Sequence, residues 1–353
     1  MDLFRSADFD GHEEIVFASE PQAGLTAIIA VHSTALGPAC GGVRFYPYAD
    51  ESQAATDVLR LSRGMSYKNA MAGLPMGGGK AVIIGDPRAI RTDALMAAFG
   101  RAVDKLNGRY ITAMDVGVTE ADMEVIARET RYVAGYAQAG REGGDPSPMT
   151  AYGVFLGIKA AVRHVFGTDQ LSGLTVGVQG LGKVGFDTAR QLKAAGAALV
   201  VADVNPEAVR RAVDELGARA VGVDAILGEA CDVLSPCALG AILNDATIPA
   251  LKARIVAGGA NNQLARDHHG AMLKAKGVLY APDYVINGGG VIRVAAQWLC
   301  EGDAWARARA GTIAETLATI FALSDESGDT TNAVADFMAR ERIAAARPLA
   351  RAA

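Results

Sequence analysis

The sequence predicts an α/β protein of two domains, on three observations. Its 353 residues exceed what one hydrophobic core usually organises. Short apolar runs alternate with segments of helical periodicity over the first 135 or so residues. Further on, LTVGVQGLGKVGFDTARQLKAAGAALVVADVN carries a strand, a glycine turn, a helix and a second strand in register.

In the first part, GLTAIIAVHS predicts a strand, and ESQAATDVLRLSRGMSYKNAMAG has its apolar residues at helical spacing. KAVIIGD is a short β-branched run closed by Asp86 and Pro87. DALMAAFGRAVDKLNG predicts a helix with a glycine stop at 108, and RYITAMDVG a strand ending at Asp115. On this reading Lys80 precedes one strand and Asp115 ends another, so both fall at one edge of a sheet. The glycine- and proline-rich stretch GREGGDPSPMT, residues 140 to 150, then reads as a hinge, and AYGVFLGIKAAVRHVFG as a helix leading onward.

In the second part, Gly180-Leu181-Gly182-Lys183-Val184-Gly185 lies between a strand and a helix, and the next strand ends at Asp203. A lone G-x-G-x-x-G says little, but the whole unit in this order is the dinucleotide-binding, or Rossmann, fingerprint. Glycines permit a tight turn and let backbone N–H groups reach a pyrophosphate at the helix N-terminus, a cradle formed here by Gly180, Gly182, Lys183, Val184 and Gly185. Asp203 suits ribose hydroxyls and repels a 2′-phosphate, which favours NAD over NADP. Later strand ends, in CDVLSPCALG, ARIVAGGANNQLA and GVLYAPDYVINGGG, place Cys237, Ala238, Ala260, Asn261, Asn262 and Asn287 along the same cofactor cleft. Ordinary turn chemistry accounts for the Asn-Asn and Asn-Gly pairs equally well.

Half the residues are hydrophobic and 21% are charged, a globular balance. A net charge of −5 gives no electrostatic case for binding nucleic acid or an anionic membrane. No apolar run approaches a membrane span, and the acidic start MDLFRSADFDGHEE lacks a signal-peptide pattern, so a soluble cytoplasmic protein is expected. The four cysteines include no C-x-x-C pair. The one close histidine pair, His268 and His269, would point in different directions on a helix, so no metal site is expected.

Positive charge in this chain is mostly arginine, 25 against nine lysines, and no lysine precedes residue 68. Lys68 and Lys80 therefore stand out, because an ammonium can release its proton and a guanidinium cannot. With Asp115 they form a cationic, proton-transferring group beside a glycine-rich turn, GLPMGGGK. Solvated surface charge is the bland alternative, and it fits Lys80 poorly, set between three glycines and the apolar run AVII.

The segments LGPACGGVRFYPY, RLSRGMSYKNAMAGLPMGGGKAVIIGDP, GRYITAMDVG, GDPSPMTAYGV, VQGLGKVG, PCALGAILND, GGANNQLA and LYAPDYVINGGGVI resemble the amino-acid dehydrogenases of leucine, valine, phenylalanine and glutamate. They run from residue 36 to 292 in that family's order, and the likeness is strongest to the leucine enzymes. The resemblance implies an N-terminal substrate and oligomerisation domain over 1–140, a Rossmann NAD-binding domain over 141–325, and residues 326–353 folded back on the first, with the active site in the cleft between them. It implies that Lys68 holds the substrate carboxylate, helped by Asn262 and the backbone of Gly41 and Gly42. Lys80 then acts as general base and acid, and Asp115 shuttles protons at the substrate nitrogen. Thr150, Asn261 and Asn287 match positions around the nicotinamide. Cys40, Ala113, Val291 and Val294 match the side-chain pocket; all are small or apolar, which argues against glutamate as substrate. Two departures are Cys40, where leucine is usual, and Met114, where an acidic residue is common.

The implied reaction is reversible oxidative deamination of a branched-chain L-amino acid by NAD, in a homo-oligomer acting on small molecules. It needs Lys80 neutral in the working complex and Lys68 charged. Competing readings are a phenylalanine-type specificity, an idle NAD-binding regulator, and an oxidoreductase of the shikimate dehydrogenase kind; the last two leave the second lysine or the whole Lys68, Lys80 and Asp115 group without a task.

Overall fold

The computed structural model describes residues 3–137 and 145–347. By contact it divides into two units: Met1–Asp145 with Arg293–Gly302 and Ala339–Ala353, and Pro146–Ile292 with Asp303–Met338.

The first unit is built on strands β1 (Glu14–Glu20), β2 (Leu25–Ser33), β3 (Ala39–Tyr46), β4 (Gly77–Ile84) and β5 (Tyr110–Met114), with helices α1 (Glu51–Met71), α2 (Pro87–Ile90), α3 (Asp93–Asp104) and α4 (Glu120–Glu129). Its sheet has the order β1-β2-β4-β3-β5. β3 runs parallel to both β4 and β5, whereas β2 is antiparallel to β4 and β1. Each helix start has a chemical reason: Asp50 accepts from Gln53 N–H, Thr92 from Leu95 N–H, and Thr119 with Asp122 forms a capping box. One face of the sheet is covered by α1, whose Ala54, Ala55 and Val58 meet Ile28, Ala30 and Val82. The opposite face is covered by α3 and α4, where Leu95, Phe99, Met123 and Ile126 join Ile29, Ala81 and Ile83.

One expectation is corrected here. The glycines of MGGGK form no turn: Gly77, Gly78 and Gly79 open β4, and Lys80 is its fourth residue rather than its preface. A Cβ at Gly77 would lie 1.9 Å from Ser33 O, one at Gly78 2.0 Å from Ser66 N, and one at Gly79 2.7 Å from the Tyr110 ring. Glycine is required because a neighbouring strand, a helix backbone and an aromatic ring approach three successive residues. The contact at Ser66 lays the last turns of α1 directly on β4, and Asn69 fixes it by donating to Gly77 O at 2.6 Å. Sequence reading offers no strand at β3, whose Gly41-Gly42 pair interrupts the strand pattern it depends on.

Behind α1, His32 is buried, with Nδ1 2.7 Å from Ser66 Oγ. Burial, then the neighbouring His12 and Arg63 charges, hold its pKa down to about 4 against the attraction of Asp10. The folded state thus stays neutral at His32 where the unfolded chain takes up a proton. The contribution is complete above pH 6.5 and is lost as pH falls from 6.5 toward 4. A shift of that size corresponds to roughly 3 kcal/mol in all. Thermal unfolding at pH 7 and pH 5 should show a drop in Tm for the native chain that His32→Gln reduces, the remainder falling partly to the neighbouring buried His12, whose pKa burial also lowers; equal drops in both proteins would contradict this.

The second unit contains strands β6 (Thr175–Gln179), β7 (Ala198–Ala202), β8 (Arg219–Ala220), β9 (Val233–Pro236), β10 (Ile255–Val256) and β11 (Leu279–Tyr280). All are parallel, in the order β11-β10-β9-β6-β7-β8. This is the doubly wound arrangement, with the order reversing between β6 and β9 and the ligand crevice beyond the strand carboxyl ends. Its helices are α5 (Ser147–Phe166), α6 (Lys183–Ala194), α7 (Pro206–Leu216), α8 (His269–Ala275), α9 (Asp283–Ile286), α10 (Gly289–Trp298), α11 (Asp303–Ser327) and α12 (Thr331–Ala346), with α10 and α12 each continuing into the first unit.

Of the expected hinge, residues 140 to 144 lie outside the described residues, and from Ser147 the chain is already helical. The expected return at 326 occurs at 339 instead, and 293–302 also belongs to the first unit. Lys274 Nζ donates to Ser324 O at 3.0 Å and Asp329 O at 2.6 Å, and Thr331 Oγ1 donates to Tyr280 O at 2.7 Å, which keeps the turn before α12 on the second unit. The end of α12 joins the first unit, where Arg342 donates to Ala70 O and Met71 O at 3.1 and 3.2 Å.

Candidate active site

In the first unit, Lys80 and Asp115 stand on either side of β3, which separates β4 from β5. Adjacent strands are ~4.8 Å apart, so two spacings intervene. The lysine crosses them because β3 carries Gly42 at that point: a Cβ there would sit 2.8 Å from Asp115 Cβ and 2.9 Å from Met114 O. Lys80 Nζ reaches Asp115 Oδ2 at 2.8 Å, and its side chain is only 7% exposed. Gly41 is as constrained, since a Cβ would fall 1.8 Å from Gly79 O. The Gly41 carbonyl accepts from the buried Tyr110 hydroxyl at 2.7 Å, which fixes β3 against β5.

β5 ends at Met114, so Asp115 is the first residue after the strand rather than its last residue as expected. Burial works against its ionisation, but the Lys80 ammonium, its hydrogen bond and the Arg44 guanidinium together hold the carboxyl below its ordinary range. Its stabilising effect is therefore present at neutral pH and is lost only as pH falls through that lowered value.

Arg44 was not singled out by sequence. Its Nε lies 3.3 Å from Asp115 Oδ2 and its Nη1 2.9 Å from Asp57 Oδ2, and Tyr48 donates to the same Asp57 oxygen at 2.6 Å. The guanidinium thus holds the same carboxylate oxygen that the lysine reaches. The signal was present in the period of two: Gly42 and Arg44 share a strand face, and Asp57 sits on the helix that covers it. Eleven residues from Asp57 along α1, Lys68 falls on the same helical stripe and is half-buried.

Cys40 is buried, and burial, only partly countered by the Lys80 charge, pushes its thiol up to about 12. It is a neutral, apolar wall. Ala113 and Val294 come together around Gly135, whose added Cβ would lie 3.6 Å from Ala113 Cβ and 3.5 Å from Val294 Cγ2. Val291, on the second unit, lies one turn before Val294 on α10, and both are half-buried.

In the second unit the glycine turn is assembled as its spacing requires. Gly180 has φ +92°, and a Cβ there would lie 2.8 Å from Ala238 N; a Cβ at Gly185 would lie 1.9 Å from Gly180 O. Gly182, which begins α6, has open space where a Cβ would go, leaving the helix N-terminus at Lys183 and Val184 accessible to an anion. Cys237 N donates to Gln179 O at 2.6 Å, bringing Cys237 and Ala238 alongside the turn. Asp203 follows β7 and accepts from Leu181 N at 2.5 Å and Asn205 N at 2.7 Å, with acceptor capacity remaining.

Asn287 is buried and donates to Asn261 Oδ1 at 2.7 Å and Gly259 O at 3.3 Å. Its Oδ1 has no hydrogen-bond partner among the described residues. Ala260 N donates to Pro236 O at 2.9 Å. Asn262 has φ +51°, and its carbonyl accepts from Ala241 N at 2.6 Å, so it serves a turn whatever else it does. Thr150 lies in the first turn of α5 against α10, where a Cβ at Gly290 would meet its hydroxyl at 2.9 Å.

Asp245, His268 and His269 also converge, with ligand-type atoms within 4.8 Å of one another, because His268 precedes α8 instead of lying within it. His269 Nδ1 accepts from Arg266 N–H at 2.9 Å, which leaves the ring proton on Nε2, 3.4 Å from Asp245 Oδ1. A protonated nitrogen is a donor and offers no lone pair to a metal.

Residues 12–132 match the Glu/Leu/Phe/Val dehydrogenase dimerisation domain, and residues 207–319 match the glutamate/leucine/phenylalanine/valine dehydrogenase domain. A leucine dehydrogenase of Bacillus cereus is 49% identical over 344 residues, covering 98% of this chain and 94% of that protein. The chain belongs to the glutamate/leucine/phenylalanine/valine dehydrogenase family. Another member, a valine dehydrogenase of Streptomyces coelicolor, is 49% identical over 350 residues, covering 98% and 96%. Among solved structures, the L-tryptophan dehydrogenase of Nostoc punctiforme superposes with a TM-score of 0.86 at 45% identity, covering 95% of this chain and 97% of that one. The family places the chain among the amino-acid dehydrogenases, and no helix among the described residues is long and apolar enough to cross a membrane.

Proposed function

We infer that this enzyme catalyses the NAD-dependent, reversible oxidative deamination of a branched-chain L-amino acid. The observation that carries the reading is the buried Lys80–Asp115 pair laid across Gly42. The overall change is L-amino acid, NAD+ and water to 2-oxo acid, ammonium, NADH and a proton. When bound, NAD accepts the hydride from the substrate α-carbon.

On this reading Lys68 holds the substrate carboxylate, with Asn262 and the Gly41 and Gly42 backbone beside it. Asp115 exchanges protons with the substrate nitrogen. Lys80, neutral in the working complex, takes a proton from the water that attacks the imine carbon and returns one as the carbon–nitrogen bond breaks. Arg44 keeps the Asp115 carboxylate in place while its lysine partner turns to the water.

NAD fits the residues of the second unit. Gly180, Gly182 and Gly185, with the N–H groups at Lys183 and Val184, would hold the pyrophosphate, and Asp203 the adenosine ribose. The unpartnered Asn287 Oδ1 suits the amide N–H of a nicotinamide carboxamide, with Asn261 and Thr150 nearby in the same role. Cys237, Ala238 and Ala260 would line the dinucleotide path.

The residues matched to the side-chain pocket, Cys40, Ala113, Val291 and Val294, carry no charge to meet a second carboxylate, which favours aliphatic substrates over glutamate. A larger aromatic side chain is the second reading, favoured by Cys40 standing where the leucine enzymes carry a bulkier residue. Values of kcat/KM for 4-methyl-2-oxopentanoate, 3-methyl-2-oxobutanoate, phenylpyruvate and 2-oxoglutarate test the choice. The branched acids should lead and 2-oxoglutarate should be inert; a clear lead for phenylpyruvate would establish the second reading. Homo-oligomeric assembly in the cytoplasm accords with this function.

A further inference from the structure

We propose that Gln297 is a positioning residue that sets the width of the substrate side-chain pocket. The inference rests on the reading above and extends it to a residue with no assigned part in it. Gln297 lies on α10, three residues beyond Val294, and is 5% exposed. It uses both ends of its amide on one short segment: Oε1 accepts from Gly135 N at 2.6 Å, and Nε2 donates to Tyr136 O. The same segment is laid along β5 on its other side, where Thr112 N donates to Tyr132 O at 3.0 Å and Ala134 N to Thr112 O at 2.9 Å.

Gly135 is thus clamped between β5, two and three residues before Asp115, and the helix that carries Val294. A Cβ at Gly135 would meet both Ala113 and Val294 at ordinary contact distance, so the space bounded by these three residues is one methyl group wide at that point. Its width is fixed by where the Gly135 backbone is held, and Gln297 holds it. A buried amide that satisfies a donor and an acceptor on two adjacent residues is a stiff link, since releasing it exposes buried polar groups to a lost hydrogen bond.

Two variants separate this role from a general contribution to folding. Q297M keeps the volume and removes both hydrogen bonds; Q297E keeps the acceptor for Gly135 N–H and sets an oxygen against the Tyr136 carbonyl. Initial rates are measured with NADH and ammonium saturating, using 4-methyl-2-oxopentanoate and phenylpyruvate. For Q297M the KM for 4-methyl-2-oxopentanoate should rise about 10-fold, and the kcat/KM ratio should move at least about fivefold toward phenylpyruvate, as the pocket loses its fixed wall. Q297E should fall between Q297M and the native enzyme. The KM for NADH should stay unchanged in both, which a merely unfolded or loosened protein would not show. Native KM and native substrate ratio in Q297M would overturn the proposal, and Q297E decides the matter in the same way if Q297M fails to bind NADH. Absence of ammonium-dependent turnover in the native enzyme would instead overturn the functional reading and this inference with it.

Discussion

Replacing Lys80 by alanine is expected to lower kcat by about 10²- to 10⁴-fold, the usual worth of a positioned general acid–base. The loss should appear in kcat and kcat/KM together, because the proton transfers belong to the transition state. Folding should survive. Asp115 keeps its ion pair with Arg44 at 3.3 Å, and the vacated path across Gly42 opens beside an already partly exposed carboxylate. NAD affinity should be unchanged, since the glycine turn, Asp203 and Asn287 lie in the other unit. A Lys80→Ala protein with nearly full steady-state turnover would remove the proposed base and leave the buried ion pair as a structural feature only.

Lys68→Ala is expected to act on a different parameter. A carboxylate held by an ammonium loses a charge-assisted hydrogen bond, typically ~1.5–3 kcal/mol, or about 10- to 100-fold in KM for the amino acid. The effect on kcat should be smaller, and NAD binding measured by fluorescence titration should be that of the native enzyme. Lys68 lies in the last turn of α1, whose position depends on Ser66 over Gly78 and on Asn69 bonded to Gly77 O, and neither contact uses the lysine. Weakened NAD binding with an unchanged amino-acid KM would move Lys68 out of the substrate site.

The dinucleotide half of the fold was legible because its signal is local. Strand, glycines, helix, strand and Asp203 follow one another within about thirty residues, and Gly180 and Gly185 are required by contacts within the same short unit or with a neighbouring strand end. The catalytic half was legible in its residues and not in its geometry. The glycines before Lys80 read as a turn from sequence, since glycine disfavours strands; only the approach of Ser33, Ser66 and Tyr110 from elsewhere in the chain shows why a strand needs them. Arg44 stayed hidden because it meets Asp115 across 71 residues, and only once β3 inserts between β4 and β5. Gln297 stayed hidden for the same reason, its partners lying more than 160 residues away. The return to the first unit from 326, implied by the resemblance, comes later because hydrogen bonds from Lys274 and Thr331 carry the second unit on into α12.

The central claim is that the Lys80–Asp115 centre and the NAD site serve one reaction, the interconversion of a 2-oxo acid and an L-amino acid. It is tested most directly by following NADH oxidation with 4-methyl-2-oxopentanoate, with and without ammonium. The account predicts rapid oxidation that requires ammonium, saturates with it, and yields L-leucine in proportion to NADH consumed. Oxidation that proceeds equally without ammonium, giving a hydroxy acid, or no oxidation with any 2-oxo acid, would contradict it.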